Sequence, residues 1–208
     1  MASTPIPSLR FEREAWRLGA DWVAGIDEVG VGPLAGPVAA GVVALPPARR
    51  FRWYSDVRDS KVLSAPQREL LDRKIRESVP FAVGWVSHEE IDRIGILPAR
   101  RLAMLRALEK LGLRPDAIIS DALDLPVEGV RPIIDADALS VSVAAASIVA
   151  KVARDALMDD LCGQYRGYAF CRNKGYPTPE HKALLARRGP CPIHRRSYAP
   201  VAQLSLPW

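Results

Sequence analysis

Residues Gly25-Ile26-Asp27-Glu28-Val29-Gly30-Val31-Gly32-Pro33-Leu34-Ala35-Gly36-Pro37-Val38 set two adjacent carboxylates between an apolar run and a Gly/Pro turn. The apolar run before them, 22–26, and the one after, 38–45, read as two strands of a hairpin with the acidic pair at the tip of the first. Successive strand residues point to opposite faces, so both acids can serve one site only where the strand ends. Side by side they repel, and one pKa rises unless a cation or a donor offsets them. A hard divalent cation such as Mg2+ or Mn2+, held by oxygen ligands, would do so. A surface pair capping a turn is the plainer alternative.

The chain of 208 residues suits one domain with at most a small appendage, and its 49% apolar content allows a sizeable core. The net charge of +5 is unevenly spread: residues 172–208 carry +6 and the remainder −1. That asymmetry turns the C-terminal portion towards a polyanion, with a merely solvated basic surface as the alternative. Cys162, Cys171 and Cys191 are odd in number and lack C-x-x-C spacing, which argues for a reducing cytoplasm and against a zinc site. Charged residues from Arg10 to Glu14 interrupt any apolar signal core. Residues 29–48 are uncharged, but their four Gly and four Pro fit a turn between strands better than a membrane helix. The protein therefore reads as soluble.

Outward from the hairpin, residues 1–20 read as a loose leader with a helical turn near Phe11, and 46–54 as a basic loop. Ser64, Pro66 and Gln67 form a capping-box start to a helix with Leu70, Leu71 and Ile75 on one face. A third strand (81–86), a short helix opened by Ser87 and a Leu-rich helix (98–111) follow. Residues 117–120 form a strand delivering Asp121, and 130–134 a strand delivering Asp135 and Asp137. The longest helix spans 140 to about 161, uncharged in its first half, with Lys151 and Asp155 paired four apart. A Gly- and aromatic-rich loop (165–176), a last helix after Thr178 and a basic tail close the chain.

Strands alternating with helices indicate an α/β sheet, whose ligands gather at strand ends. Asp27, Glu28, Asp121 and Asp137 all follow apolar strands. Oxygen-only ligands suit two Mg2+ ions about 4 Å apart, the arrangement used for in-line phosphoryl transfer.

The opening motif resembles that of ribonuclease HII. So do Asp59-Ser60-Lys61-x-Leu63-Ser64, the helix Ala144-Ala145-Ala146-Ser147-Ile148-x-Ala150-Lys151-Val152-x-Arg154-Asp155, Lys174-Gly175-Tyr176-Pro177-Thr178 and His194-Arg195-Arg196-Ser197. The resemblance runs from about residue 22 to 201 in order and spacing. It implies a ribonuclease H-like mixed five-stranded sheet flanked by helices, with a C-terminal helical extension. The expected divisions are a leader (1–20), a catalytic domain (21–163) and a basic extension packed on it (164–208). The implied activity is endonucleolytic cleavage of RNA in RNA–DNA hybrids and 5′ to ribonucleotides embedded in duplex DNA, as ribonucleotide excision repair requires. The products would carry 3′-hydroxyl and 5′-phosphate ends, and the protein would work as a cytoplasmic monomer.

By position, Asp27, Glu28, Asp121 and Asp137 match the family's metal ligands for Mg2+ or Mn2+, while Asp135 stands two residues out of register. Asp155 reads as half of an ion pair. Tyr176 matches the tyrosine that stacks on the junction sugar, and Gly30-Val31-Gly32 the loop whose backbone reads the 2′-hydroxyl. Lys61, Arg195 and Arg196 would contact phosphates. His181 and His194 read as structural. Val31 replaces a family Arg, which predicts weak cleavage at single ribonucleotides unless a neighbour such as Lys61 or Arg58 fills that space. Ala122, Ala136, Leu139 and Asn173 are further departures that touch no expected ligand. The competing readings are another metal-dependent nuclease of the same fold and a non-catalytic hybrid binder.

Overall fold

The computed structural model describes residues 5–47 and 49–205. Four residues of the expected leader, Ala48 of the expected basic loop and the last three residues of the expected extension lie outside the described residues. Helix α1 (Arg10–Arg17) leads into β1 (Val23–Val29), which turns through the Gly/Pro segment into β2 (Val38–Leu45). Next come α2 (Ala65–Ser78), β3 (Phe81–Val86), α3 (His88–Ile94), α4 (Ile96–Lys110), β4 (Ala117–Asp121) and β5 (Val130–Ile133). The remainder is helical: α5 (Ala136–Leu139), α6 (Val141–Gln164), α7 (Phe170–Asn173), α8 (Pro179–Arg188) and α9 (Ala199–Ala202).

The strands form one mixed five-stranded sheet, as expected, and their order is β3-β2-β1-β4-β5. β1–β2 and β2–β3 are antiparallel, and β1–β4 and β4–β5 parallel. The ladder continues to Val29 opposite Ala39, so Asp27 and Glu28 lie in the last rungs of β1 rather than beyond its tip. Every residue of β2 is buried, because helices cover both faces of the sheet. On one face Ile26, Ala40 and Val42 pack against Ala103, Met104 and Ala107 of α4. On the other, Val43 and Leu45 meet Leu71 and Ile75 of α2 and Ala145 and Ile148 of α6. The charge-free half of α6, residues 141–150, is buried throughout. It lies so close to the sheet that a Cβ on Gly41 would stand 2.2 Å from the Ala146 carbonyl oxygen.

Three further details differ from the sequence reading. Leu70 is half exposed while Leu71 and Ile75 are buried, since one residue turns a helix by about 100°. Helix α7 interrupts the expected 165–176 loop. The segment ahead of β1 is tied down rather than loose: Ser8 N–H donates to Leu139 O at 3.0 Å. The buried Glu12 accepts from the Ser140 and Ser142 hydroxyls and from Ser142 N–H, so α1 caps the N-terminus of α6. The α2 capping box is present, with Ser64 N–H donating to Gln67 Oε1 at 2.9 Å. Among the described residues no helix is long and apolar enough to cross a membrane.

Candidate active site

The parallel strands β1, β4 and β5 deliver their C-terminal ends to one edge of the sheet, the usual place for a ligand in an α/β fold. Asp27 and Glu28 end β1, Asp121 ends β4, and Asp137 sits in α5 just after β5. A cavity of about 540 Å³ opens there, with Asp27, Glu28, Asp121, Lys61 and Tyr176 in its lining. Asp137 joins through Lys61, whose Nζ lies 3.0 Å from Asp137 Oδ2. Asp135 is exposed in left-handed backbone (φ 57°) at the start of α5, outside that lining.

Burial, then the charges of Glu28 and Asp121, hold the Asp27 carboxyl well above the usual carboxylate range, against a hydrogen bond from Ser147. Ser147 is fixed in turn by Ser60, Oγ to Oγ 2.9 Å. Burial also raises Glu28, opposed by Arg100. Asp121 is raised by burial, opposed by the Ala136 N–H that donates to its Oδ1 at 2.8 Å. Burial disfavours a charged Lys61, but Asp137, Asp59 and Asp27 outweigh it and push Lys61 up to about 12. Asp59-Ser60-Lys61 thus works as a unit. Asp59 Oδ1 accepts from Lys61 N–H at 2.9 Å, Ser60 reaches Ser147, and Lys61 reaches Asp137.

The donor set fits a hard divalent cation: carboxylate oxygens only, raised by burial and by one another. Glu28 Oε2 is buried and bonds nothing in the protein. Among the described residues no three acids are already drawn together as ligands. Instead Arg100 holds Glu28 and Lys61 holds Asp137.

The loop after β1 is carried from behind by two buried arginines. Arg154 donates to the carbonyls of Pro37, Lys174 and Ala35 at 3.0–3.3 Å. Arg195 donates to those of Gly36, Val31 and Gly30 and to the Tyr198 hydroxyl at 2.6–2.9 Å. Gly30 has φ +90°, and a Cβ there would stand 2.2 Å from Arg154 Nε, so only glycine fits. Burial pulls Arg154 down to about 10, still cationic at neutral pH. Arg195 is fully buried, which corrects the expectation that it meets phosphates. Its cation is spent on loop carbonyls. Arg196 is exposed but outside the cavity lining. Tyr176 is half-buried, its ring over Lys151 Nζ (5.4 Å) and Arg154 Cζ (5.6 Å).

His181 and His194 are buried and structural. Cys191 N–H donates to His194 Nδ1 at 3.0 Å, leaving the His194 proton on Nε2, 3.2 Å from His181 Nε2. His181 Nδ1 then donates to Tyr176 O at 2.8 Å. Asp155 pairs with Lys151 at 2.8 Å, as its spacing suggests. Arg58 donates to Ser55 O and Val57 O at 2.7 Å, so it does not fill the space beside Val31. The sequence reading missed three cations at the site. Arg68 and Lys151 line the cavity, and Arg100 pairs with Glu28 across 72 residues, a separation that no local pattern reveals.

The chain matches the family model described as ribonuclease HII over residues 24–201. It is 49% identical over 203 residues to ribonuclease HII of Myxococcus xanthus, covering 96% of this chain and 69% of that one. Identity to the Moorella thermoacetica ribonuclease HII is 48% over 192 residues, covering 90% and 91% of the two chains. Among solved structures, ribonuclease H2 from Pyrococcus horikoshii OT3 is similar with a TM-score of 0.75 and 30% identity, over 88% of this chain and 96% of that one.

Proposed function

The chain belongs to the ribonuclease HII family, and from that premise we propose how its cleft divides the work of cutting RNA joined to DNA. It is a metal-dependent endoribonuclease acting on RNA–DNA hybrids. The finer reading is cleavage 5′ to a ribonucleotide, including a single one embedded in duplex DNA, leaving 3′-hydroxyl and 5′-phosphate ends. Its main support is the meeting of Asp27, Glu28 and Asp121 at one cavity with a buried, unpartnered carboxylate oxygen on Glu28.

Asp27, Glu28, Asp121 and Asp137 would hold Mg2+ or Mn2+, two ions in the full reading. A divalent ion supplies Lewis acidity at the phosphoryl group and offsets charge on the leaving 3′ oxygen. Lys61 brings a point charge for a phosphate oxygen to the edge of that cluster. The Gly30-Val31-Gly32 backbone meets the ribose 2′-hydroxyl, aided by open space where a Gly32 side chain would stand. The Tyr176 ring, backed by Lys151 and Arg154, stacks on the sugar at the junction. Arg196 contributes to phosphate binding outside the cleft. We further assign 21–163 as the catalytic unit, 1–20 as leader and 164–208 as extension, in a cytoplasmic monomer. Three unpaired cysteines support that compartment.

Labelled duplexes carrying one ribonucleotide, four or none, incubated with Mg2+ or Mn2+, test the reading. Cleavage of the first two at the 5′ side of a ribonucleotide is expected, with none of the third. Cutting of plain DNA would point to a different nuclease of this fold, and tight binding without metal-dependent turnover to a binder.

A further inference from the structure

Ile26 and Glu28 share one face of β1, the face covered by α4. From α4, Arg100 donates Nε–H to Glu28 Oε1 at 2.7 Å, and its Nη2 forms an ion pair with the same oxygen at 2.5 Å. A forked arrangement would have taken both oxygens. This one leaves Oε2 buried and unpartnered on a side chain only 6% exposed.

We infer that Arg100 is a built-in counter-ion and positioning residue, which anchors Glu28 by one oxygen, keeps the other for the divalent cation and limits how tightly that cation is held. The inference rests on the metal-binding reading above. Of the four carboxylates, Glu28 is paired with Arg100 and Asp137 with Lys61, while Asp27 and Asp121 have no ion pair among the described residues. Without Arg100, Glu28 would join them. A unit charge several ångströms from a divalent ion changes its affinity on the order of tenfold even under water-like screening. The metal-free protein would then carry a buried carboxylate with no partner, which destabilises it. Arg100 thus stabilises the empty cleft and weakens the loaded one.

The test measures Mn2+ binding to substrate-free protein by electron paramagnetic resonance, together with Tm in EDTA and in Mn2+. In Arg100→Gln, Mn2+ should bind about tenfold tighter, Tm in EDTA should fall, and the Mn2+-induced rise in Tm should exceed that of the parent. Arg100→Lys, which keeps the charge on a single-point donor, should return the affinity to within about threefold of the parent. Unchanged or weaker Mn2+ binding in Arg100→Gln overturns the inference. If that variant fails to fold, tenfold tighter binding in Arg100→Lys would overturn it too. Failure of the underlying reading looks different: the parent itself would bind no Mn2+, or Glu28→Gln would bind it as the parent does.

Discussion

The carboxylates ending β1 and β4 and the two arginines behind the neighbouring loop are all largely buried, yet their surroundings treat them oppositely. Arg154 and Arg195 each have their donors met by carbonyls, with the Tyr198 hydroxyl completing the second set. Burial, with neighbouring carboxylates, raises the Asp27, Glu28 and Asp121 carboxyls above their ordinary range, and one Glu28 oxygen bonds nothing. Buried charge that is satisfied holds a loop in place. Buried charge that is left wanting marks where a partner from outside must bind.

Neutralising one member of each set breaks the comparison most directly. Asp27→Asn should cut turnover by more than about 100-fold while raising the metal-free Tm, because it removes charge from a repelling cluster. Steady-state kinetics and calorimetry in EDTA check both signs, and near-normal turnover at saturating Mg2+ would remove Asp27 from the ligand set. Arg195→Ala should do the reverse to stability. It strands the Gly30 and Gly36 carbonyls at roughly 1 kcal/mol or more each, while Val31 O keeps the Tyr198 hydroxyl, so about 2 kcal/mol and a Tm drop of roughly 6 °C are expected, with or without metal.

The two regions should also separate on a pH axis. Raised carboxyl pKa values in the cleft mean that folding stability is fully present below about pH 4 and is lost as pH rises through the raised values. His194 behaves in the opposite sense. Burial, with His181 beside it, pulls it down to about 4, and burial lowers His181 as well. Stability from the histidines is therefore present above about pH 6.5 and lost as pH falls towards 4. Each slope is at most about 1.4 kcal/mol per pH unit per group. Urea titrations across pH 4 to 8 should show both arms in EDTA, and Mn2+ should flatten only the high-pH arm. A metal-insensitive profile would place the high-pH arm outside the cleft.

The smallest effect belongs to the loop between the two regions. Val31 O is held by Arg195 and the Tyr198 hydroxyl, while its half-buried side chain offers no cation beside the cavity. Val31→Arg should raise kcat/KM on single-ribonucleotide duplexes up to about tenfold, mainly through KM, with less gain on four-ribonucleotide tracts. Equal substrate ratios before and after the substitution would mean that Lys61, Arg68 or Lys151 already fills the role.

The sheet, the hairpin and the long buried helix were legible because each follows a local rule: apolar runs, Gly/Pro turns and an uncharged Ala-rich stretch. The strand-end acids were legible for the same reason, being fixed by the strands that deliver them. Arg195 was misread because a basic tail looks alike whether its cations face solvent or carbonyls, and the Gly30, Val31 and Gly36 partners lie about 160 residues away. Arg100 was missed on equal grounds: in a Leu-rich helical pattern it reads as a solvated residue until β1 is packed against α4.

Glu12 has a consequence for the order in which the molecule is completed. Its partners Ser140 and Ser142 come 128 and 130 residues later, so on the ribosome the first helix is made long before the end it caps exists. Closing so long a loop is slow, and until it closes the N-terminus of α6 lacks the acceptor for Ser142 N–H. Helix α1 is therefore made well before the helix end it caps, and its docking there belongs among the slower steps of assembly.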